Sequence, residues 1–364
     1  MKKILILANK DITLLYFRKE LIEKLVSEKN DVTVCFPKSD KVSEFINMGC
    51  KFIDIKMDRR GTNPVKDMGI IFNYLKILKE TKPDVVLTFT IKPNLYGGFA
   101  CRIRKIPYIA NITGLGTALQ NEGLLQKLTI FLYHIAFKKI KCCFMQNEDN
   151  MKFFEKHKIA DGKRVLLPGS GVNLEKYKLL EYPKENCDLE FLFIGRIMKE
   201  KGIDLYIETA KYIKSKYKNT KFHVIGYCEQ DYEQKLNDLQ NQGIIIYHGK
   251  QDDMIPFYKL SCCTIHPTYY PEGMSNVLLE SAASGRPVIT TDKPGCREIV
   301  DEGVTGFIVK SQDIETLKIA VEKFINMPYE EKVNMGLAGR RKVEKEFDRN
   351  IVIDAYIKEI NGIY

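Results

Sequence analysis

Short apolar runs alternate with longer amphipathic ones along the chain, and the alternation occurs twice. In the first half Lys3–Leu7, Asp31–Phe36, Phe52–Ile55, Val85–Phe89, Tyr108–Asn111, Lys141–Gln146 and Arg164–Leu167 are predicted strands. Leu14–Lys29, Ser39–Met48, Asp67–Thr81, Leu95–Arg104, Leu124–Lys139 and Glu148–Lys158 between them are predicted helices. Near-continuous apolar strands separated by helices predict a parallel sheet covered on both faces. Asn173–Asp188, with Pro183 and no apolar period, reads as a linker. The pattern then restarts with strands at Glu190–Ile194, Lys221–Ile225, Ile244–His248, Thr264–His266, Pro287–Thr291 and Gly306–Val309. The expected architecture is α/β, with two tandem Rossmann-like, doubly wound domains facing across a cleft between the carboxyl ends of their strands, where such sheets bind ligands. Residues 1–172 form the first domain, 173–188 the linker and 189–346 the second. A last helix, Asn350–Ile360 within 347–364, is expected to cross back onto the first domain.

Length agrees, since 364 residues exceed the roughly 250–300 that one hydrophobic core sustains. The longest apolar run, Leu128–Phe137, is about half the ~20 residues of a membrane span and contains His134. The N-terminal apolar run is cut by Asn9-Lys10-Asp11, too early for a signal-peptide core, so a cytoplasmic protein is expected. The ten cysteines include the pairs Cys142-Cys143 and Cys262-Cys263 but no C-x-x-C, which predicts reduced, buried thiols rather than a zinc or redox site. Charge is unevenly placed. Residues 1–178 carry 32 Lys/Arg against 18 Asp/Glu, and residues 179–364 carry 25 against 29. The basic half suits an anionic partner, whether nucleic acid, membrane or phosphorylated substrate, or else it is a solvated lysine-rich surface.

Two segments carry the candidate chemistry. In Pro271-Glu272-Gly273-Met274-Ser275-Asn276-Val277-Leu278-Leu279-Glu280, Gly273 and Ser275 mark a helix start. The amides of Met274, Ser275 and Asn276 would then be unpaired at a positive helix end, a seat for an anion. Glu280 shares a helix face with Asn276. If the intervening chain is mostly helical, Glu272 and Glu280 lie ~12 Å apart and could flank a diphosphate; the competing reading is a surface helix with two solvated glutamates. The second segment is Phe191-Leu192-Phe193-Ile194-Gly195-Arg196-Ile197-Met198-Lys199-Glu200-Lys201-Gly202. Here a buried strand ends at Gly195, and Arg196 and Lys201 flank the loop that enters a helix. A guanidinium fork and an ammonium suit a pyrophosphate. Both segments follow predicted strands of the second domain, so they should face one ligand. No D-x-D lies nearby, and Asp252-Asp253 reads as a helix start. Gly114-Leu115-Gly116 would need its third glycine where Leu119 stands, which argues against a dinucleotide fingerprint.

Gly195-Arg196-x4-Lys201-Gly202 with Glu272-x7-Glu280 resembles the donor site of retaining GT-B glycosyltransferases of family four. The resemblance continues through Gly285-Arg286-Pro287-Val288-Ile289 and Pro294-Gly295-Cys296-Arg297-Glu298-Ile299-Val300. Thr88-Phe89-Thr90-Ile91-Lys92-Pro93-Asn94-Leu95-Tyr96-Gly97 and Asn111-Ile112-Thr113-Gly114-Leu115-Gly116 are similar to the bacterial branch that builds capsule, O-antigen and lipid-linked glycans. The resemblance implies that Arg196 and Lys201, after Gly195, hold the donor pyrophosphate, that Glu272 binds hydroxyls of the transferred sugar, and that Glu280 binds the ribose. It also implies that Met274, Ser275 and Asn276 offer amides, and that Gly249 and Lys250 form the pocket for the base, usually uracil. It implies transfer of a hexose or N-acetylhexosamine with retention, by attack from the face of the departing phosphate. No carboxylate nucleophile, metal or other cofactor is then required. Relatives often have a glycine-rich loop where this chain has Asn9-Lys10-Asp11-Ile12-Thr13, and a histidine near the position of Thr113. Asn9, Lys92, Asn94, Thr113 and Gly114 are therefore acceptor-side candidates by position.

Within Leu124–Lys141, Lys127, His134, Lys138 and Lys141 fall on one stripe of a helix whose remaining surface is apolar. Such a helix either covers the sheet with its polar stripe in solvent or lies shallowly in an anionic leaflet. Arg59-Arg60, Lys92, Arg102, Arg104 and Lys105 add charge to the same domain. An undecaprenyl-diphosphate-linked saccharide acceptor would explain both greasy and basic features. The expected partners are thus a nucleotide sugar, that acceptor and the inner face of the cytoplasmic membrane, with no nucleic acid. Two other classes compete: a sugar-nucleotide epimerase or phosphorylase on a similar scaffold, and a nucleic-acid-binding protein using the basic half. Neither a Schiff-base lysine setting nor a nucleic-acid motif is present to support them.

Overall fold

The computed structural model describes residues 1–57, 64–115, 119 and 122–363, with backbone alone for 64–66; Arg59, Arg60 and Gly116 lie outside these residues. The chain forms two compact units, Met1–Ser170 with Asn350–Tyr364, and Gly171–Arg349.

The first unit is built on seven parallel strands: β1 (Lys3–Leu7), β2 (Asp31–Phe36), β3 (Lys51–Asp54), β4 (Val85–Phe89), β5 (Tyr108–Ile112), β6 (Cys142–Met145) and β7 (Arg164–Leu166). Their order is β3-β2-β1-β4-β5-β6-β7, so the winding reverses between β1 and β4. Successive residues of β1 go to opposite faces. Leu5 and Leu7 pack with Tyr74, Ala100 and Tyr133, while Ile4 and Ile6 pack with Leu21, Ile22 and Leu25. Both faces are buried, which is why these strands read as unbroken apolar runs.

The helix Arg349–Asn361 closes the second of those layers with Val352, Ile353, Tyr356 and Ile360. Tyr356 stacks at 4.5 Å on Phe144, and Lys2 Nζ donates to the carbonyls of Ile360 and Ile363 at 2.7 and 2.6 Å. The C-terminal helix is thus part of the first unit's core.

Two predicted helices differ in detail. Leu14–Lys29 is two helices, Asp11–Phe17 and Lys19–Ser27, because Arg18 leaves helical geometry (φ −139°) and turns inward. Its guanidinium sits 5.2 Å from the centre of the Phe89 ring and 5.8 Å from that of Tyr356. The Leu95–Arg104 prediction begins earlier, as a π-helical turn over Pro93–Gly97 followed by the α-helix Gly98–Arg104.

The second unit holds β8 (Leu189–Ile194), β9 (Thr220–Ile225), β10 (Ile246–Tyr247), β11 (Cys263–His266), β12 (Val288–Thr291) and β13 (Gly306–Val309). All are parallel, in the order β10-β9-β8-β11-β12-β13, with the reversal between β8 and β11. The segment read as a linker is fastened to this unit by Arg286, which is 1% exposed. Its guanidinium donates to the carbonyls of Tyr258 (2.7 Å), Glu181 (2.6 Å), Leu180 (3.2 Å) and Ser284 (3.3 Å). One side chain thereby closes the carboxyl ends of the helices Ile255–Leu260 and Asn276–Ala283 and pins residues 180–181. Burial pulls its pKa down to about 10, which leaves it charged at neutral pH.

Candidate active site

The reversal between β8 and β11 is where a doubly wound sheet opens for a ligand. Gly195 and Arg196 leave β8 there, and residues 267–275 leave β11. The two loops are interlocked. Gly202 has φ +81°, and a Cβ at that position would stand 2.1 Å from the Pro267 carbonyl oxygen. No side chain fits between the Lys201 turn and the β11 loop. The Glu200 carbonyl accepts from the amides of Tyr269 and Tyr270, each at 2.9 Å. On the other side, Gly226 after β9 would put a Cβ 1.7 Å from the Gly195 carbonyl oxygen, and its amide donates to the Gly249 carbonyl at 2.8 Å. These close approaches draw the loops of β8, β9 and β10 together.

The two predicted cations converge on one ring. The Arg196 guanidinium lies 4.8 Å and the Lys201 ammonium 5.2 Å from the centre of Tyr270. Each is also paired with a carboxylate: Arg196 Nη1 donates to Glu229 at 2.6 Å, and Lys201 Nζ to Glu272. Burial opposes the charge on Arg196, but hydrogen bonds to Glu229 and Tyr270 prevail and its pKa is raised. Lys201 is itself 9% exposed. The motif residues Arg196, Lys201 and Glu272 are therefore brought together, while Tyr270 and Glu229, which complete the arrangement, were not singled out from sequence. Tyr270 precedes Pro271-Glu272, so its adjacency to the motif was the available signal. Glu229 had none.

Glu280 lies among a second group of side chains of the same unit. The hydroxyl of Tyr258 donates to it at 3.3 Å, Tyr177 adds a hydrogen bond, and Lys176 and Arg349 lie near. Burial nonetheless pushes its pKa up to about 7. The chain from Glu272 to Glu280 is helical only from Asn276, so the ~12 Å estimate for a mostly helical span does not apply. Beyond Tyr258, the neighbouring Phe257 packs at 4.9 Å against His248. A buried chain anchors that strand end: Glu190 lies 2.9 Å from His223, and His223 lies 2.9 Å from His248. His248 leads into Gly249 and Lys250, so the predicted base loop and Glu280 flank the same short helix, Ile255–Leu260. Lys250 itself is exposed and paired at 3.6 Å with Asp252.

One donor-side expectation needs correction. The Ser275 amide is not open, because it donates to the Gly295 carbonyl at 2.7 Å, and the Ser275 side chain makes no cap hydrogen bond. The helix Asn276–Ala283 does begin where predicted, so its first-turn amides, from Asn276 onward, are those without intrahelical partners. Met274 is buried in the core beneath, with Leu278 and Leu279.

Acceptor-side candidates fare differently. Asn94 is 1% exposed, and both ends of its amide are engaged: Thr88 Oγ1 donates to its Oδ1 at 2.7 Å and its Nδ2 donates to the Asn111 carbonyl at 2.8 Å. Asn111 Nδ2 in turn donates to Tyr356 at 2.7 Å, and Gln146 Nε2 to Asn111 Oδ1 at 3.2 Å. Asn94 thus holds the core and does not reach a substrate. Lys92 is not a free cation, since Asp67 holds it at 2.7 Å and Tyr96 donates to the same carboxylate at 2.7 Å. Asn9, Thr113 and Gly114 are half-buried at the carboxyl ends of β1 and β5.

Two Rossmann-like units, one with a cationic pair at its topological switch point, define a GT-B fold. Comparison supports this: the structure of Anabaena HepE in complex with UDP superposes with a TM-score of 0.79 at 15% identity, over 98% of each chain. Residues 181–342 match the family model for glycosyl transferases group 1, and residues 3–147 that for glycosyl transferase 4-like domains. The N,N'-diacetylbacillosaminyl-diphospho-undecaprenol alpha-1,3-N-acetylgalactosaminyltransferase of Campylobacter jejuni is 26% identical over 97% of this chain and 96% of its own. The Escherichia coli UDP-Gal:alpha-D-GlcNAc-diphosphoundecaprenol alpha-1,3-galactosyltransferase is 23% identical over 84% of each chain. The chain belongs to the group 1 glycosyltransferases, with a first domain of the family-four type.

Proposed function

We infer that this enzyme transfers a hexose or N-acetylhexosamine, with retention, from a UDP-sugar to an undecaprenyl-diphosphate-linked saccharide in cell-surface polysaccharide assembly. The observation that carries this reading is the convergence of Arg196 and Lys201 on Tyr270, with Glu272 already on Lys201. A diphosphate is the ligand whose charge best replaces the carboxylates on both cations. In this reading its arrival frees Glu272 for hydroxyls of the transferred sugar, while Glu280 takes the ribose and the Gly249–Lys250 loop the base. The chemical step needs its charge where the leaving nucleoside diphosphate develops, and two cations with a helix end supply it without a divalent metal. The two named relatives, whose acceptors are diphospho-undecaprenol saccharides, support the acceptor class.

The surface of the helix Leu124–Phe137 supports membrane contact. Thr129, Tyr133, Ala136 and Phe137 form its buried face. Leu124, Leu128 and Phe131, at i, i+4 and i+7, are 85%, 52% and 59% exposed. Lys127, His134 and Lys138 are exposed alongside that ridge. The sheet-covering alternative is therefore met on one face of the helix only, and an exposed apolar ridge edged with lysines suits an anionic leaflet. No helix of the described residues is long and apolar enough to cross a membrane.

The test is a panel of UDP- and GDP-sugars with an undecaprenyl-diphosphate-linked saccharide, with and without chelator. Transfer from a UDP-sugar that survives chelation supports the reading, and transfer only with added divalent metal refutes the charge assignment. Flotation with anionic and neutral vesicles tests the membrane face: Leu128→Glu with Phe131→Glu should abolish binding to the anionic set.

A further inference from the structure

His266 ends β11, the strand whose following loop carries Tyr270 and Glu272 of the cationic seat. It is 1% exposed, and neither ring nitrogen has a hydrogen-bond partner among the described residues. Buried polar atoms are nearly always paired, so an imidazole with both nitrogens unpartnered calls for a reason. An aliphatic or thioether side chain of similar volume would fill the space without that cost. Its backbone is firmly held: the His266 carbonyl accepts from Thr290 Oγ1 at 3.0 Å, and the next residue, Pro267, is the one on which Gly202 rests. The backbone that carries the ring is therefore tied to the Lys201 turn. Burial, followed by the charge of Lys201, lowers its pKa to about 3. At any physiological pH it is neutral and offers one nitrogen as an acceptor within the field of the Lys201 ammonium. That ammonium is engaged by Glu272 in this structure.

We propose that His266 is a positioning residue for Lys201: when Glu272 turns to the transferred sugar, an imidazole nitrogen accepts the hydrogen bond Glu272 gave up and keeps the ammonium on the diphosphate. This rests on the roles given above to Lys201 and Glu272. A neutral acceptor serves where a carboxylate would not, because it orients the ammonium without cancelling the charge that the leaving phosphate needs. A protonated histidine would repel Lys201, and the buried site excludes it.

The test combines stability, kinetics and a double-mutant cycle on the full chain. His266→Leu should be at least as thermally stable as the parent, because it removes two unpartnered nitrogens, yet its kcat with a UDP-sugar should fall at least tenfold. His266→Gln, which restores an acceptor, should recover most of that loss. In a Lys201→Ala background, adding His266→Leu should change the residual rate less than twofold, since the histidine acts through the lysine. A kcat for His266→Leu within twofold of the parent overturns the proposal, as does an undiminished effect in the Lys201→Ala background. His266→Met repeats the comparison if the leucine variant is unfolded, and failure of both to fold marks His266 as structural and overturns it too. Full activity of Lys201→Ala on its own would instead refute the site reading on which the proposal rests.

Discussion

The carboxyl ends of the two sheets are built from similar strands but arranged for different work. At the β8/β11 end, charged groups face one another across loops: Arg196 with Glu229, Lys201 with Glu272, and Tyr270 beneath both cations. At the β4/β5 end the polar residues turn inward, and Thr88, Asn94, Asn111, Gln146 and Tyr356 join in a buried hydrogen-bond network. Ion pairs at a partly open site can exchange partners when a charged ligand arrives, whereas a closed amide network fixes the backbone and exchanges nothing. On the proposed function, the second unit's ion pairs can yield to a diphosphate, while the first unit's strand ends form a closed network with nothing to exchange. The contrast is broken most directly at the seat. Lys201→Ala and Glu272→Ala should each lower kcat/KM by about 10²–10³, the typical cost of removing one preorganised contact to developing charge. Circular dichroism should show both variants folded, and steady-state rates with a UDP-sugar measure the loss.

The next largest effect belongs to the closed network and should appear in stability alone. Asn111→Leu removes one partner each from Gln146, which keeps Ser170 at 3.4 Å, and from Tyr356, which keeps Arg18. The loss should be about 1–3 kcal/mol, for bonds removed from a buried network. Urea denaturation gives that figure, and calorimetry with a UDP-sugar should show donor affinity within twofold of the parent. A matching fall in donor affinity would erase the distinction drawn between the two ends.

The central strands of both sheets were legible because each is an apolar run bounded by polar, helix-forming sequence, and that pattern is what burial on two faces demands. The cations and carboxylates of the seat were legible because they lie in short, closely spaced segments. Other parts were not. The Ser275 amide is closed by the Gly295 carbonyl, a contact made by a loop twenty residues further on, and no local pattern reports it. Asn94 stands as an acceptor-side candidate by position, since sequence does not show that Thr88 and the Asn111 backbone await it. Arg18 broke a helix that its neighbours favoured, because the rings of Phe89 and Tyr356, distant in sequence, hold its guanidinium. His266 read as the end of an apolar strand, and its unpartnered nitrogens are visible only in three dimensions.

A smaller effect comes from Glu280, whose carboxyl is pushed up to about 7, first by burial, against the opposing pull of Lys176, its two tyrosines and Arg349. Ribose hydroxyls donate to the ionised form, so donor binding should strengthen as pH rises through 7. Between pH 6 and pH 8 the affinity for UDP-glucose, whose phosphates do not titrate in that range, should rise about five- to tenfold. Stability runs the other way. A carboxyl with a raised folded pKa contributes stability that is complete below its unfolded value and is lost as pH climbs through 7. Glu280→Gln should flatten both profiles, and isothermal titration at several pH values would show it. A pH-independent affinity in the parent would remove Glu280 from the ribose.

The smallest effect sits at the other end and tests whether the first unit's strand ends also store strain. Thr90, at the carboxyl end of β4 beside the β1/β4 reversal, has φ +75°, and its hydroxyl is buried with no partner among the described residues. A β-branched residue in the left-handed region is strained by roughly 1–2 kcal/mol. Thr90→Gly removes that strain, but it also frees the unfolded chain, which costs about 0.4–1 kcal/mol. The net is a stabilisation of about 0–1.6 kcal/mol, seen as a small rise in melting temperature by differential scanning fluorimetry. Slow hydrolysis of the UDP-sugar, which needs only the second unit's seat, should be unchanged. Transfer to the lipid-linked acceptor should weaken severalfold if the strain holds the threonine's backbone toward that substrate. Equal rates in both assays would leave the strain without a functional reading, and the first unit's end would then differ from the second's in having no prepared contact at this residue.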